Sequence, residues 1–478
     1  MPTSVMCCCR PAEANRSLLL RGRHGLVREP HPNPRPDLCG WPRTRASQIV
    51  QASGPRQRAV SRDEQVVKAA VTTRQIRAPV PSRRDVAPAW ASGHIPVLDG
   101  LRGVAILLVF FHHAIALALE PTTTIDFAVR RVAQVGWTGV DLFFVLSGFL
   151  ITGVLLDTKG EPRWWPRFIA RRGLRIFPLY YGALVFLFLL LPRLVEWRHP
   201  AYATLRANQA WYWTYTVNLL HGFTRGQGTP LNTEHFWSLA IEEQFYLIWP
   251  LVVWRCQSRT LLRVVALATL AGFAFRLALV LYAPAEAGMT YVFTPGRLDG
   301  LMVGAGLAVV ARSPGSLAPL APWARRVLWG GVAALAALAV LRGSFNWWDP
   351  VIAVMALPLV ALVYGALLVR SLTAGPASRL SRVLSRPWLR SWGKYSYCLY
   401  VIHFPLMGLL AWKFSFYEHG VEALGGSRLP AVLLFIGIAT AASYGLAWLS
   451  YHVYERPFLE LKRYFDSPAP SRAQVEAR

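Results

Sequence analysis

The 478 residues are 54% hydrophobic and 16% charged and include 19 Trp, a balance too apolar for a soluble domain of this length. The formal charge of +26 raises nucleic acid as a partner, but the Lys and Arg lie in short clusters between apolar runs, as in the cytoplasmic loops of membrane proteins. That placement argues against nucleic-acid binding. The six cysteines, Cys7, Cys8, Cys9, Cys39, Cys256 and Cys398, have no paired spacing, so no metal site and no disulfide framework is implied.

Residues 1–94 are rich in Arg, Pro, Ser and Ala and lack sustained apolar periodicity, which predicts a disordered basic extension. Arg83 and Arg84 are followed by Asp85 and Pro88 rather than by an apolar core, so a twin-arginine export signal is rejected, and no cleavable signal is evident. The membrane region needs nothing from this segment, so a natural start further downstream is compatible with it.

A bilayer core takes roughly 20 mainly apolar residues per helix, and such stretches recur near 97–118, 136–156, 175–195, 236–254, 261–283, 297–311, 327–342, 350–370, 395–413 and 430–453. The stretch from Asn208 to Gly222, with Trp211, Tyr212, Trp213 and Tyr215, is short and aromatic and suits the interface better than a crossing. With that stretch left outside the count, the basic segments 167–175, 255–263, 312–326 and 370–390 all fall on the side of the basic N-terminus. The expectation is an all-α polytopic membrane protein of about ten helices with both termini cytoplasmic. Its domains would be 1–94, a transmembrane domain over 95–460 and a short cytoplasmic tail over 461–478.

Ionisable residues inside such helices are costly and mark candidate functional sites. Arg102 and His113 are eleven residues apart, which brings them within roughly 20° of one helix face and about 16 Å apart along the axis. His112 points elsewhere. Asp141 precedes the small-residue stretch Ser147-Gly148, where helices can approach closely. Arg172 and Arg175 are helical neighbours at the entrance of the third span, and paired guanidinium groups suit phosphate oxygens. Ser238, Glu242 and Glu243 lie in the fourth span, Arg297 and Asp299 at the sixth, Tyr397 and His403 in the ninth. Asp99, Asp141, Arg297 and Asp299 read as structural partners of buried charges, and the sequence leaves Tyr397 and His403 open between packing and function.

These features, in this order, resemble the membrane-bound acyltransferase 3 family over about residues 95–460. The resemblance rests on the Arg102 and His113 spacing, Ser-Gly-Phe-Leu-Ile at 147–151, the Arg172 and Arg175 pair, and Trp-Ser-Leu-x-x-Glu ending at Glu242. Arg-x-Asp at 297 and 299 and Ser-Tyr-x-x-Tyr-x-x-His ending at His403 complete it. It implies a multi-pass protein of the cell membrane, the inner membrane of a bacterium, with an intramembrane histidine as catalytic residue. Cytoplasmic acyl-CoA would be the donor co-substrate with no bound cofactor, acetyl the usual acyl group, and a glycan, polysaccharide or other hydroxyl the acceptor. Many relatives carry a fused extracytoplasmic hydrolase-like domain after the last span, whereas about two dozen residues follow residue 453 here. The expectation is a stand-alone transferase, or one that hands its acyl group to a separate extracytoplasmic transferase.

On this reading His113 acts as general base or as acyl-carrying nucleophile, with Glu242 beside it in the outer half of the membrane. Arg102 guides the donor from deeper on the same face. Arg172 and Arg175 bind its phosphates, and Asp141, Ser238, Arg297, Asp299, Tyr397 and His403 support the site. The competing reading is a proton-coupled transporter or flippase that uses the same His, Glu and Arg as a relay.

Overall fold

The computed structural model describes residues 94–194, 200–414 and 427–465. The extension read at 1–94 lies outside these except for its last residue, and both termini lie outside them too. The helices that matter here are α1 Pro96–Ala118, α2 Thr124–Gln134, α3 Gly139–Asp157, α4 Trp164–Val185, α5 Gln209–Trp213, α6 Val217–Phe223 and α7 Phe236–Arg255. They continue as α8 Ser258–Tyr282, α9 Leu298–Ala311, α10 Ala321–Arg342, α11 Pro350–Thr373, α12 Pro387–Phe414 and α13 Leu429–Ser450. No strand occurs among the described residues.

Local chemistry sets several of these boundaries. Thr123 and Asp126 form a reciprocal capping box at the start of α2. Asp349 accepts from the amides of Val351 and Ile352 at 2.9 and 3.2 Å, with Pro350 in the first helical position of α11. Gly343, at φ +65°, ends α10 in a left-handed cap.

Eight helical segments among the described residues are long and apolar enough to cross a bilayer, including α1, α8, α10 and α11. The other two expected spans, 236–254 and 297–311, are the helices α7 and α9. α7 carries Glu242, Glu243 and Gln244 mid-length, and α9 has 14 residues, about 21 Å, against a core of roughly 30 Å. α9 is largely buried within the bundle, whereas α7 is covered over its first half and exposes Leu247, Ile248, Leu251 and Trp254 in its second. The aromatic stretch at 208–222 is broken into α5 and α6, of five and seven residues, so neither spans.

Loop contacts show which helix ends lie together. Lys159 Nζ donates to the carbonyls of Val253 and Cys256 at 2.7 and 2.8 Å, and Arg312 forks onto Asp157 at 2.6 and 2.5 Å. The basic segments after α3, α7 and α9 therefore share one end of the bundle, as their charge predicts. At the other end of α1 and α13, Arg428 pairs with Glu120 at 2.8 Å and Ser427 donates to Asp126 at 2.7 Å.

Two close helix pairs position the site, and both depend on glycine. A Cβ added at Gly393 of α12 would stand 1.9 Å from the Asp99 carbonyl of α1, and one at Gly304 of α9 would stand 2.1 Å from the Val145 carbonyl of α3. The peripheral helices α8 and α10 expose most of their apolar surface, as lipid-facing helices do.

Candidate active site

Arg102 on α1, Ser147 on α3, Arg172 and Arg175 on α4, Glu242 on α7 and Tyr397 on α12 line one cavity within the bundle. Tyr246 OH donates to Glu242 Oε2 at 3.1 Å and lies 2.5 Å from Ser147 Oγ. Since Tyr246 has one proton to give, Ser147 must be the donor in the second bond. Tyr397 OH donates to the Ile176 carbonyl at 2.9 Å, which ties α12 to α4. Arg172 stands over the Phe168 and Tyr246 rings, 6.0 and 5.8 Å from their centres.

Arg102, Arg172 and Arg175 also line a second cavity, which adds Arg171, Arg390, Lys394 and Lys462. Among the described residues, seven cations thus converge on one vestibule, with Asp99 its only acid. Asp99 is engaged by His94 at 2.6 Å and lies 3.9 Å from Arg102. Arg390, Lys394 and Lys462 were not singled out in the sequence. Arg390 and Lys394 look like topology signals there, and Lys462 lies in the segment read as a tail; only α12 and the turn Leu461–Phe465 bring them to Arg102.

Beyond the inner end of the first cavity lies a layer of histidines. Ser238 and Tyr400 close that end, their hydroxyls 2.5 Å apart and both directed at the His235 carbonyl. The Tyr400 ring centre is 5.5 Å from His235 and 5.8 Å from His403. His113 Nδ1 lies 2.8 Å from His403 Nε2, and Phe404 stacks on the His113 ring at 4.0 Å with a 7° tilt. His112 turns away and donates from Nδ1 to the Ala133 carbonyl at 3.0 Å.

The expected meeting of His113 with Glu242 does not occur; His113 bonds His403 and faces His235. Helix geometry explains the difference. His235 and Glu242 are seven residues apart, hence on one face of α7 but about 10 Å apart along its axis. His235 reaches the level of His113, and Glu242 falls nearer the level of Arg102. His235 stands at the head of a motif read for its carboxyls, and its place at the start of α7 was the signal that it would sit at the histidine level.

Arg297 and Asp299 do not pair with each other. Arg297, fully buried, lies 3.1 Å from Asp141 and is ringed by Phe144, Trp237 and Tyr291. Asp299 is held by a bidentate Arg276 on α8 at 2.5 and 3.1 Å, which also donates to the Gly296 carbonyl at 2.7 Å. Both pairs cross between helices and are enclosed by protein, which supports their structural reading. Arg276 was missed, although a lone Arg within an apolar run is the signal that would have found it. Among the described residues no group of three or more His, Cys, Asp or Glu is arranged to hold a metal ion.

The arrangement is a cationic vestibule, a polar cavity and a paired imidazole in sequence. It can bind a polyanion at one end and abstract a proton at the other. The acyltransferase 3 family model, described as an acyltransferase domain, matches residues 95–451. The chain is 29% identical over 336 residues to the peptidoglycan O-acetyltransferase OatA of Listeria monocytogenes, covering 67% of this chain and 50% of that one. It is 26% identical over 384 residues to the O-acetyltransferase OatA of Staphylococcus aureus, covering 77% and 58% respectively. A putative peptidoglycan O-acetyltransferase of Bacillus subtilis, YrhL, is 29% identical over 393 residues, covering 76% and 55%. The chain thus spans about half the length of the curated relatives it matches. No solved structure matches. With the family match running from α1 through α13, the chain belongs to the acyltransferase 3 family of multi-pass membrane proteins.

Proposed function

We propose that this protein is a membrane O-acetyltransferase that takes an acetyl group from cytoplasmic acyl-CoA and delivers it to a hydroxyl of a cell-wall glycan. The observation that carries this reading is the continuity of the seven-cation vestibule with a polar cavity ending one ring away from the His113 and His403 pair. Arg172 and Arg175 bind donor phosphates with fixed guanidinium forks, helped by Arg390, Lys394 and Lys462, and Arg102 guides the donor from the vestibule into the cavity. His113 takes the proton of the acceptor hydroxyl. Glu242, with Tyr246 and Ser147, orients the donor within the cavity. The names of the relatives point to peptidoglycan as the glycan, and the vestibule side is the cytoplasmic face of the cell membrane.

Incubating the purified protein with radiolabelled acetyl-CoA and a peptidoglycan fragment tests the reading. Label should appear in the glycan as an alkali-labile ester. Label retained entirely on acetyl-CoA, or released equally without the glycan, would overturn it.

A further inference from the structure

The hydrogen-bond directions around the histidine layer decide where its protons sit. His403 Nδ1 lies 2.9 Å from the Leu399 carbonyl and 2.9 Å from the Tyr400 carbonyl. A carbonyl only accepts, so His403 carries its proton on Nδ1, and the neutral ring leaves Nε2 bare. That bare Nε2 is 2.8 Å from His113 Nδ1, which must therefore be the donor. His113 Nε2 is then left without a proton.

We propose that His403 is a positioning residue that holds His113 as the Nδ1–H tautomer and so makes His113 Nε2 the reactive atom. This rests on the acyltransferase reading and specifies it. His113 is half-buried and its Nε2 makes no hydrogen bond to any described residue, so the lone pair is open to a substrate. Phe404 fixes the plane of the ring by stacking, and His403 fixes which nitrogen is basic. The other two histidines do neither. His112 is committed to the Ala133 carbonyl, and both nitrogens of His235 face carbonyls, Asn232 at 3.1 Å and Val401 at 3.4 Å.

The arrangement also gives the proton a place to go. As the acceptor oxygen bonds to the acyl carbon, its proton passes to His113 Nε2. The thioester C–S bond breaks with its electron pair on sulfur. The His113 Nδ1 proton shifts toward His403 Nε2, so the positive charge is shared with a ring whose own Nδ1–H rests on two carbonyls. Return of that proton to Nδ1 and release of the Nε2 proton to the thiolate restores the starting tautomers.

Solid-state NMR on 15N-histidine-labelled protein in liposomes reads the tautomer directly, with His113→Gln assigning the signal. In the wild type, Nδ1 of His113 should be protonated and Nε2 unprotonated. His403→Gln keeps an acceptor oxygen and should retain that tautomer with kcat lowered less than about 10-fold, whereas His403→Leu should mix the tautomers and lower kcat by about 10²-fold at unchanged KM for acetyl-CoA. An Nε2–H tautomer in the wild type, or a His403→Leu protein with unchanged tautomer and kcat, would overturn the proposal. A wild-type protein with the Nδ1–H tautomer and no acetyl transfer would instead overturn the acyltransferase reading, leaving the hydrogen-bond assignment standing.

Discussion

His112 and His113 are adjacent in the chain but about 100° apart on α1, and this difference alone sends one to the Ala133 carbonyl of α2 and the other to His403. Turnover of His113→Ala should fall by about 10²- to 10⁴-fold in the labelled-glycan assay with the protein still inserted, and that of His112→Ala by less than about 10-fold. Equal losses at equal expression would mean that the reactive atom lies elsewhere. At the vestibule, Arg175→Lys keeps the charge and loses the fork, so donor KM should rise about 10-fold with kcat little changed. An unchanged KM would reduce Arg175 to a diffuse positive potential. The spacing of Arg102 and His113 was legible because both lie on one helix and helix period is fixed. The His113 and His403 pair was not, since it joins side chains 290 residues apart whose relative height depends on how α1 crosses α12.

The pairing of Arg297 and Asp299 with different helices follows from their spacing. Arg297 ends the turn before α9 and Asp299 stands two residues on, in the first turn of α9, so Arg297 turns to Asp141 on α3 while Asp299 turns to Arg276 on α8. The sequence shows that both are buried charges and cannot show whose partners they are. Removing one member of such a pair strands the other, so Arg276→Met should cost about 3–5 kcal/mol of stability. The double variant Arg276→Met with Asp299→Leu should recover most of that loss, because no unpaired charge remains. Thermal melting in detergent, followed by tryptophan fluorescence, reads both. A double variant less stable than Arg276→Met would mean that Asp299 has a second partner of comparable weight.

Across the whole molecule, the alternating basic loops carried more information than any single motif. They place 157–159, 256 and 312 at one end, where Lys159 and Arg312 now make their contacts. α7 and α9 differ from the other expected spans in charge and in length, because one holds the carboxyls of the site and the other is too short for a lipid-facing span. In a cysteine-free background, Arg259→Cys and Gln227→Cys should react with an impermeant maleimide from opposite faces of the membrane, and labelling from one face would contradict the alternation. On the proposed function the acetyl group enters through the cationic vestibule and leaves at the histidine layer on the far side, and this path sets the orientation of the reaction. It is tested most directly in proteoliposomes of known orientation, with radiolabelled acetyl-CoA supplied to one face and the glycan acceptor to the other. The predicted result is labelled glycan when acetyl-CoA is on the vestibule face and none when it is on the opposite face. Equal transfer from both faces, or transfer only when donor and acceptor share a face, would contradict it.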